Sequence, residues 1–124
     1  MGYYTYYSLY ARNIKDEQEY NKLIKTLTEY ELIADNDHYG VFYEGRYDEI
    51  SHTAHFSPED EAKWYDHTYD MVKISKLFPD VIFQLSGEGE ERDDMWHEYF
   101  HNGESEECRG HIVYDKPAYI EWEE

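Results

Sequence analysis

The chain has one cysteine, three prolines and only 11 basic residues against 29 acidic ones. Each scarcity excludes something. A single cysteine, Cys108, cannot form an internal disulfide, which fits a reducing compartment. Its neighbours Glu106 and Glu107 oppose a thiolate, so it reads as a strand cysteine rather than a nucleophile. No stretch approaches the ~20 apolar residues of a membrane span. The first ten residues, MGYYTYYSLY, carry neither the basic nor the apolar block of a secretory signal, and Tyr6 does not fit a myristoylation motif. These absences point to the cytoplasm, with no membrane partner.

The shortage of bases leaves a formal charge of −18. Solubility alone asks for a magnitude of ~2–8 in a small domain. Such a field repels free nucleic acid and anionic lipid, so direct nucleic-acid binding is not expected. It attracts basic protein surfaces, including grooves that hold DNA or RNA. Salt adaptation or plain solubility is the competing explanation.

What is present is aromatic: 15 Tyr, 5 Phe and 3 Trp. That content is wrong for a disordered tail and supplies apolar area for a core. The length of 124 residues is one domain's worth, 1–124, and needs no metal or disulfide staple.

Along the chain, residues 3–11 are aromatic-rich with polar Thr5 and Ser8 interspersed, which is strand composition, and their position suggests a central strand. Asp16 can cap a helix whose apolar stripe is Tyr20, Leu23, Ile24, Leu27 and Tyr30. Residues 35–40 are a turn cluster, and 41–56 read as one or two short strands. Ser57-Pro58-Glu59-Asp60 is a helix-start signal. The helix it opens runs to Phe78 or breaks near Asp66 and restarts. Ala62, Tyr65, Tyr69 and Val72 share one face, widened by Met71, Ile74 and Phe78. Pro79 ends it. Residues 81–86 form a buried strand, 87–94 a turn and 95–101 a second strand. Asn102-Gly103 marks a hairpin, and the last strand is read from Cys108. The order is α+β with a mainly antiparallel sheet.

From Trp64 to Gly103 a set of motifs stands together: Trp64-Tyr65-Asp66-His67, Phe78-Pro79-Asp80, Phe83-x-Leu85, Gly87-Glu88-Gly89-Glu90-Glu91, and Trp96 with Tyr99-Phe100 and Asn102-Gly103. This stretch resembles a group of small proteins common in bacteriophages and mobile elements. More loosely, it is similar to the ferredoxin-like domain of the YubB/Api92-like proteins. The resemblance covers about 40 of the 124 residues and leaves 35–63 unmatched. It implies a ferredoxin-like sandwich, with two helices on one face of the sheet, in a phage or mobile-element setting. It implies no reaction.

Three chemical motifs compete. His97-Glu98-Tyr99-Phe100-His101 matches H-E-x-x-H, which on a helix gives two zinc ligands and a base. On a strand the two histidines lie ~13 Å apart and cannot share an ion. His52 and His55 could gather a metal with nearby carboxylates, or be polar surface residues. Residues 87–107 hold acids with Arg92 as the one base, so phosphate is repelled despite the glycines. These acids read either as a recognition surface or as a solvated hairpin tip. The recognition set is Glu88, Glu90, Glu91, Asp93, Asp94, Glu104, Glu106 and Glu107, with Trp96 as the anchoring ring. No catalytic residue, metal or cofactor is assigned.

The first expectation is therefore a phage-type anti-defence inhibitor, anti-CRISPR-like, that imitates nucleic-acid charge and occludes a basic surface of a host or defence protein in the host cytoplasm. The alternatives are a small metal protein or enzyme using the histidines, and a homo-oligomer pairing through an edge strand such as residues 3–10.

Overall fold

The structure, a computed structural model, describes residues 5–33, 40–43, 45–58, 62, 64–89 and 94–110. In chain order the elements are β1 (Thr5–Arg12), α1 (Glu17–Glu29), β2 (Arg46–Asp48), β3 (Thr53–Phe56), α2 (His67–Leu77), β4 (Ile82–Gly89), β5 (Met95–His101) and β6 (Glu104–Arg109). The strands make one sheet in the order β2-β3-β1-β4-β5-β6, and every neighbouring pair is antiparallel. The α+β class read from the sequence is the class of the fold.

Burial alternates along the strands, as the pleat dictates. Along β1, Thr5, Tyr7, Leu9 and Ala11 are buried while Tyr6, Tyr10 and Arg12 are exposed. Their cross-strand partners obey the same division, with Leu9 opposite Phe56 on one side and Leu85 on the other. Phe83, Leu85, Phe100 and Phe56 complete the apolar side. Both helices lie on it. Leu23 and Leu27 from α1 and Met71 and Ile74 from α2 join the same core.

Helix α1 starts where Asp16 predicts. The Asp16 carboxylate accepts from the Glu19 amide at 2.9 Å, and Glu19 Oε1 accepts from the Lys15 amide at 2.9 Å. Two amide ends are thus satisfied by side chains. Asp16→Ala should cost about 1 kcal/mol of stability by urea titration, whereas Asp16→Asn should cost only a few tenths. Equal loss in both would mean that charge, not capping, matters there.

Several expectations are corrected. Ser57-Pro58 does not open a helix. Phe42 bridges Pro58 and Thr5 bridges Ala62, so neither Pro58 nor Ala62 is helical and α2 begins at His67, after the restart near Asp66; Glu59, Asp60 and Lys63 lie outside the described residues. The Thr5 and Ala62 amides and carbonyls exchange two bonds of 2.9 Å, a pairing that outweighs the local helix signal. The buried face of α2 is Met71, Ile74 and Ser75, continued by Phe78. Tyr65 and Tyr69 point to solvent instead. Strand β4 continues through Gly87-Glu88-Gly89, and β6 starts directly after the turn at Glu104. Asn102 and Gly103 take φ of 46° and 87°, the doubly left-handed pair that a tight hairpin requires. Strand β1 lies between β3 and β4. Residues 5–10 are therefore central and cannot pair edge-on between copies. Among the described residues the edges are β2 and β6. The expected turn at 35–40 falls outside the described residues except Gly40, and residues 3–4 and the last strand beyond Gly110 fall outside them too. No helix among the described residues is long and apolar enough to cross a membrane.

Candidate functional site

With both helices on one side, the other side of the sheet is an open face among the described residues. The register places Arg46, His55, Tyr10, Gln84, Tyr99 and Glu106 in one row across all six strands. Tyr10 stacks on His55 with centroids 4.2 Å apart. Gln84 Nε2 and His97 Nδ1 lie 3.2 Å apart. Along β3, β1, β4 and β5 the only full charges on this face are Arg12 and Glu88. The carboxylates gather beyond them, on β6.

Strand β6 is exposed at every residue. Glu104 and Glu106 project onto the open face, and Glu107 projects to the helix side of the same edge. A shallow cavity of about 410 Å³ lies between Tyr99, His101, Glu104 and Glu106. Glu88 is exposed at the far end of β4. Asp94 is half-buried and accepts from Arg109 Nη1 at 3.1 Å. Glu90, Glu91 and Asp93 lie outside the described residues. The structure thus brings Glu104, Glu106 and Glu107 together and sets Glu88 and Asp94 at the other end of the sheet.

Trp96 is not part of that surface. It is 7% exposed and belongs to the helix side. Its indole stacks on His67 at 4.8 Å and meets Tyr7 edge-on at 6.1 Å. The tyrosine rings that share the face of Glu104 and Glu106 are Tyr99, Tyr10 and, toward the Glu88 end, Tyr6.

Beside Trp96 lies a buried polar cluster that sequence reasoning missed. Glu98 is 5% exposed. Thr68 Oγ1 donates to both of its oxygens, at 2.8 and 3.0 Å. His67 Nδ1 lies 3.2 Å from Glu98 Oε1. Trp64 Nε1 donates to Asp70 at 2.8 Å, and the Tyr7 hydroxyl donates to the Trp64 carbonyl at 3.3 Å. Burial pushes the Tyr7 pKa up, and its hydrogen bonds with Thr5 and Trp64 oppose the shift only in part. A buried carboxylate costs several kcal/mol unless charge-assisted donors surround it, and His67 and Thr68 supply them. The signal existed in the sequence: a glutamate at an inward position of a strand needs a partner.

The same alternation settles the H-E-x-x-H stretch. It is a strand, with His97 and His101 on the open face and Glu98 on the other. Among the described residues no group of three histidine, cysteine or acidic side chains could hold a metal ion. Cys108 is exposed and free. No protein-family model, curated protein or solved structure matches this chain.

Proposed function

We propose that this chain is an acidic, non-enzymatic binding protein of the phage or mobile-element type. It occludes a basic, nucleic-acid-binding surface of a host or defence protein in the host cytoplasm. The observation that carries the reading is β6, an edge strand exposed along its whole length with three carboxylates in four residues. At ~3.4 Å per residue, Glu104, Glu106 and Glu107 span ~10 Å, a mean spacing of ~5 Å between charges. A single DNA strand carries about one charge per 3.4 Å of axis. A groove built for a phosphate strand meets charge of the same sign at a somewhat lower density here, on a chain whose total charge of −18 steers the encounter.

The fold reading that goes with it is ferredoxin-like. The order β2-β3-β1-β4, with a helix after β1 and another after β3, is a doubled split βαβ unit. The β5–β6 hairpin then extends the sheet beyond β4 and carries the acidic edge outward.

Capture from a bacterial lysate tests the function. Tagged wild-type protein should retain a nucleic-acid-handling or defence protein at low salt and release it at moderate salt. The Glu104→Gln, Glu106→Gln, Glu107→Gln variant should bind it at least tenfold more weakly, mainly through slower association. Undiminished capture by that variant would remove β6 as the contact.

A further inference from the structure

The open face lacks a cover among the described residues, and its side chains are arranged to be covered by themselves. Tyr10 is 42% and Ile82 40% exposed, and full charge is nearly absent from the four inner strands. Besides Arg12 and Glu88, the charges on this face sit at its margins: Arg46 and Asp48 on β2, Glu104 and Glu106 on β6. Neither Arg46 nor Glu106 forms an ion pair among the described residues.

We infer that this face is the interface of a twofold homodimer, sheet against sheet. Consider an axis in the plane of contact, parallel to β1 and β4. It lays β2 over β6, β3 over β5 and β1 over β4, because the order β2-β3-β1-β4-β5-β6 is simply reversed. The row Arg46, His55, Tyr10, Gln84, Tyr99, Glu106 then meets its own reverse. Arg46 faces the second copy's Glu106, His55 faces its Tyr99, and Tyr10 faces its Gln84. Every match is cation to anion, ring to ring, or phenol to amide. Because the operator is twofold, each match is made twice, as isologous interfaces require. The one opposed pair in the adjoining row is Asp48 against Glu104, at the solvent margin, with His101 beside it on the same strand pair.

Size fits a weak, reversible dimer. The superposed strands, limited by the three residues of β2 and the four of β3, give roughly 500 Å² of flat contact per copy at ~4.8 Å spacing and ~3.4 Å per residue. Stable interfaces bury about 800 Å² per partner and transient ones less. Aligned sheets also pack with their strands within about 30° of each other, which an axis along the strands provides. The second copy is favoured over a foreign partner because the central row, from Arg46 to Glu106, is its own complement, although the adjoining row sets Asp48 against Glu104 and Arg12 against Ile82. The inference is separable from the proposed function through Arg46, which lies on β2 away from the acids of its own β6; Glu104 and Glu106 belong to both surfaces, so the dimer and the basic partner compete for them.

Sedimentation velocity from 1 to 500 µM tests it. Wild type should move from 15.1 kDa to twice that mass across the series. Arg46→Glu, which does not touch β6, should weaken the dimer at least tenfold, and Glu106→Arg should do the same. The double swap, Arg46→Glu with Glu106→Arg, should restore it to within about threefold of wild type. Tyr10→Glu should abolish it, with an unchanged circular dichroism spectrum. Wild type that stays monomeric throughout overturns the inference. So does a dimer indifferent to Arg46→Glu, or a double swap no better than either single change.

Discussion

Gly87→Ala is expected to lower stability by about 1–3 kcal/mol, although the change adds one methyl group to a strand that would ordinarily welcome it. Gly87 sits in β4 directly between Tyr7 of β1 and Trp96 of β5. A Cβ there would lie 2.2 Å from Trp96 Cζ2 and 2.3 Å from Cε2. The obstacle is a rigid ring, and the ring cannot yield alone. It stacks on His67, and His67 is held by Glu98. Displacing the indole therefore disturbs the polar cluster as well as the core. At ~3–6 °C per kcal/mol for a domain of this size, Tm should fall by about 5–15 °C, and the near-ultraviolet tryptophan signal should change with it. Gly87→Val should be worse. An alanine variant with wild-type Tm would mean that Trp96 does not cover Gly87.

The second large effect belongs to Glu98. Glu98→Ala removes the acceptor for Thr68 and His67 and leaves both donors facing a ring-lined interior. The expected loss is about 2–3 kcal/mol, from desolvated donors rather than from the bonds' net worth. Glu98→Gln keeps one acceptor oxygen and should lose about 1 kcal/mol less. The informative comparison is the apolar replacement of the whole group. Glu98→Leu with Thr68→Val and His67→Phe should recover most of the loss, because a buried charge with its donors is often no better than packed hydrocarbon. If the triple variant is as unstable as Glu98→Ala, the cluster contributes more than mutual satisfaction. If Glu98→Ala is harmless, Glu98 is not held as described.

These two positions also show what could and could not be read in advance. The cap at Asp16, the stripe of α1, the strand at 95–101 and the Asn102-Gly103 turn are local signals, and local energetics realise them. Ser57-Pro58-Glu59-Asp60 is an equally good local signal that tertiary pairing overrides, with Pro58 bridged to Phe42 and Ala62 to Thr5. The inward turn of Trp96 depends on Gly87 lying opposite it on β4, a fact of register that neither segment contains. The exposure of Tyr65 and Tyr69 depends on where α2 begins, which shifted with the failed helix start. Among the acids, composition carries the net charge but not its placement. Only the hairpin register shows that Glu104 and Glu106 share a face with Tyr99 while Glu107 does not.

The central claim is occlusion: a basic surface cannot hold this chain and nucleic acid together. With the captured partner in hand, the direct measurement is competition by fluorescence anisotropy, using a labelled DNA or RNA duplex bound to that partner at near-physiological salt. The account predicts that added chain displaces the duplex completely, and that the Glu104→Gln, Glu106→Gln, Glu107→Gln variant needs at least tenfold more to do so. A stable ternary complex, with the duplex retained at saturating chain, would contradict it.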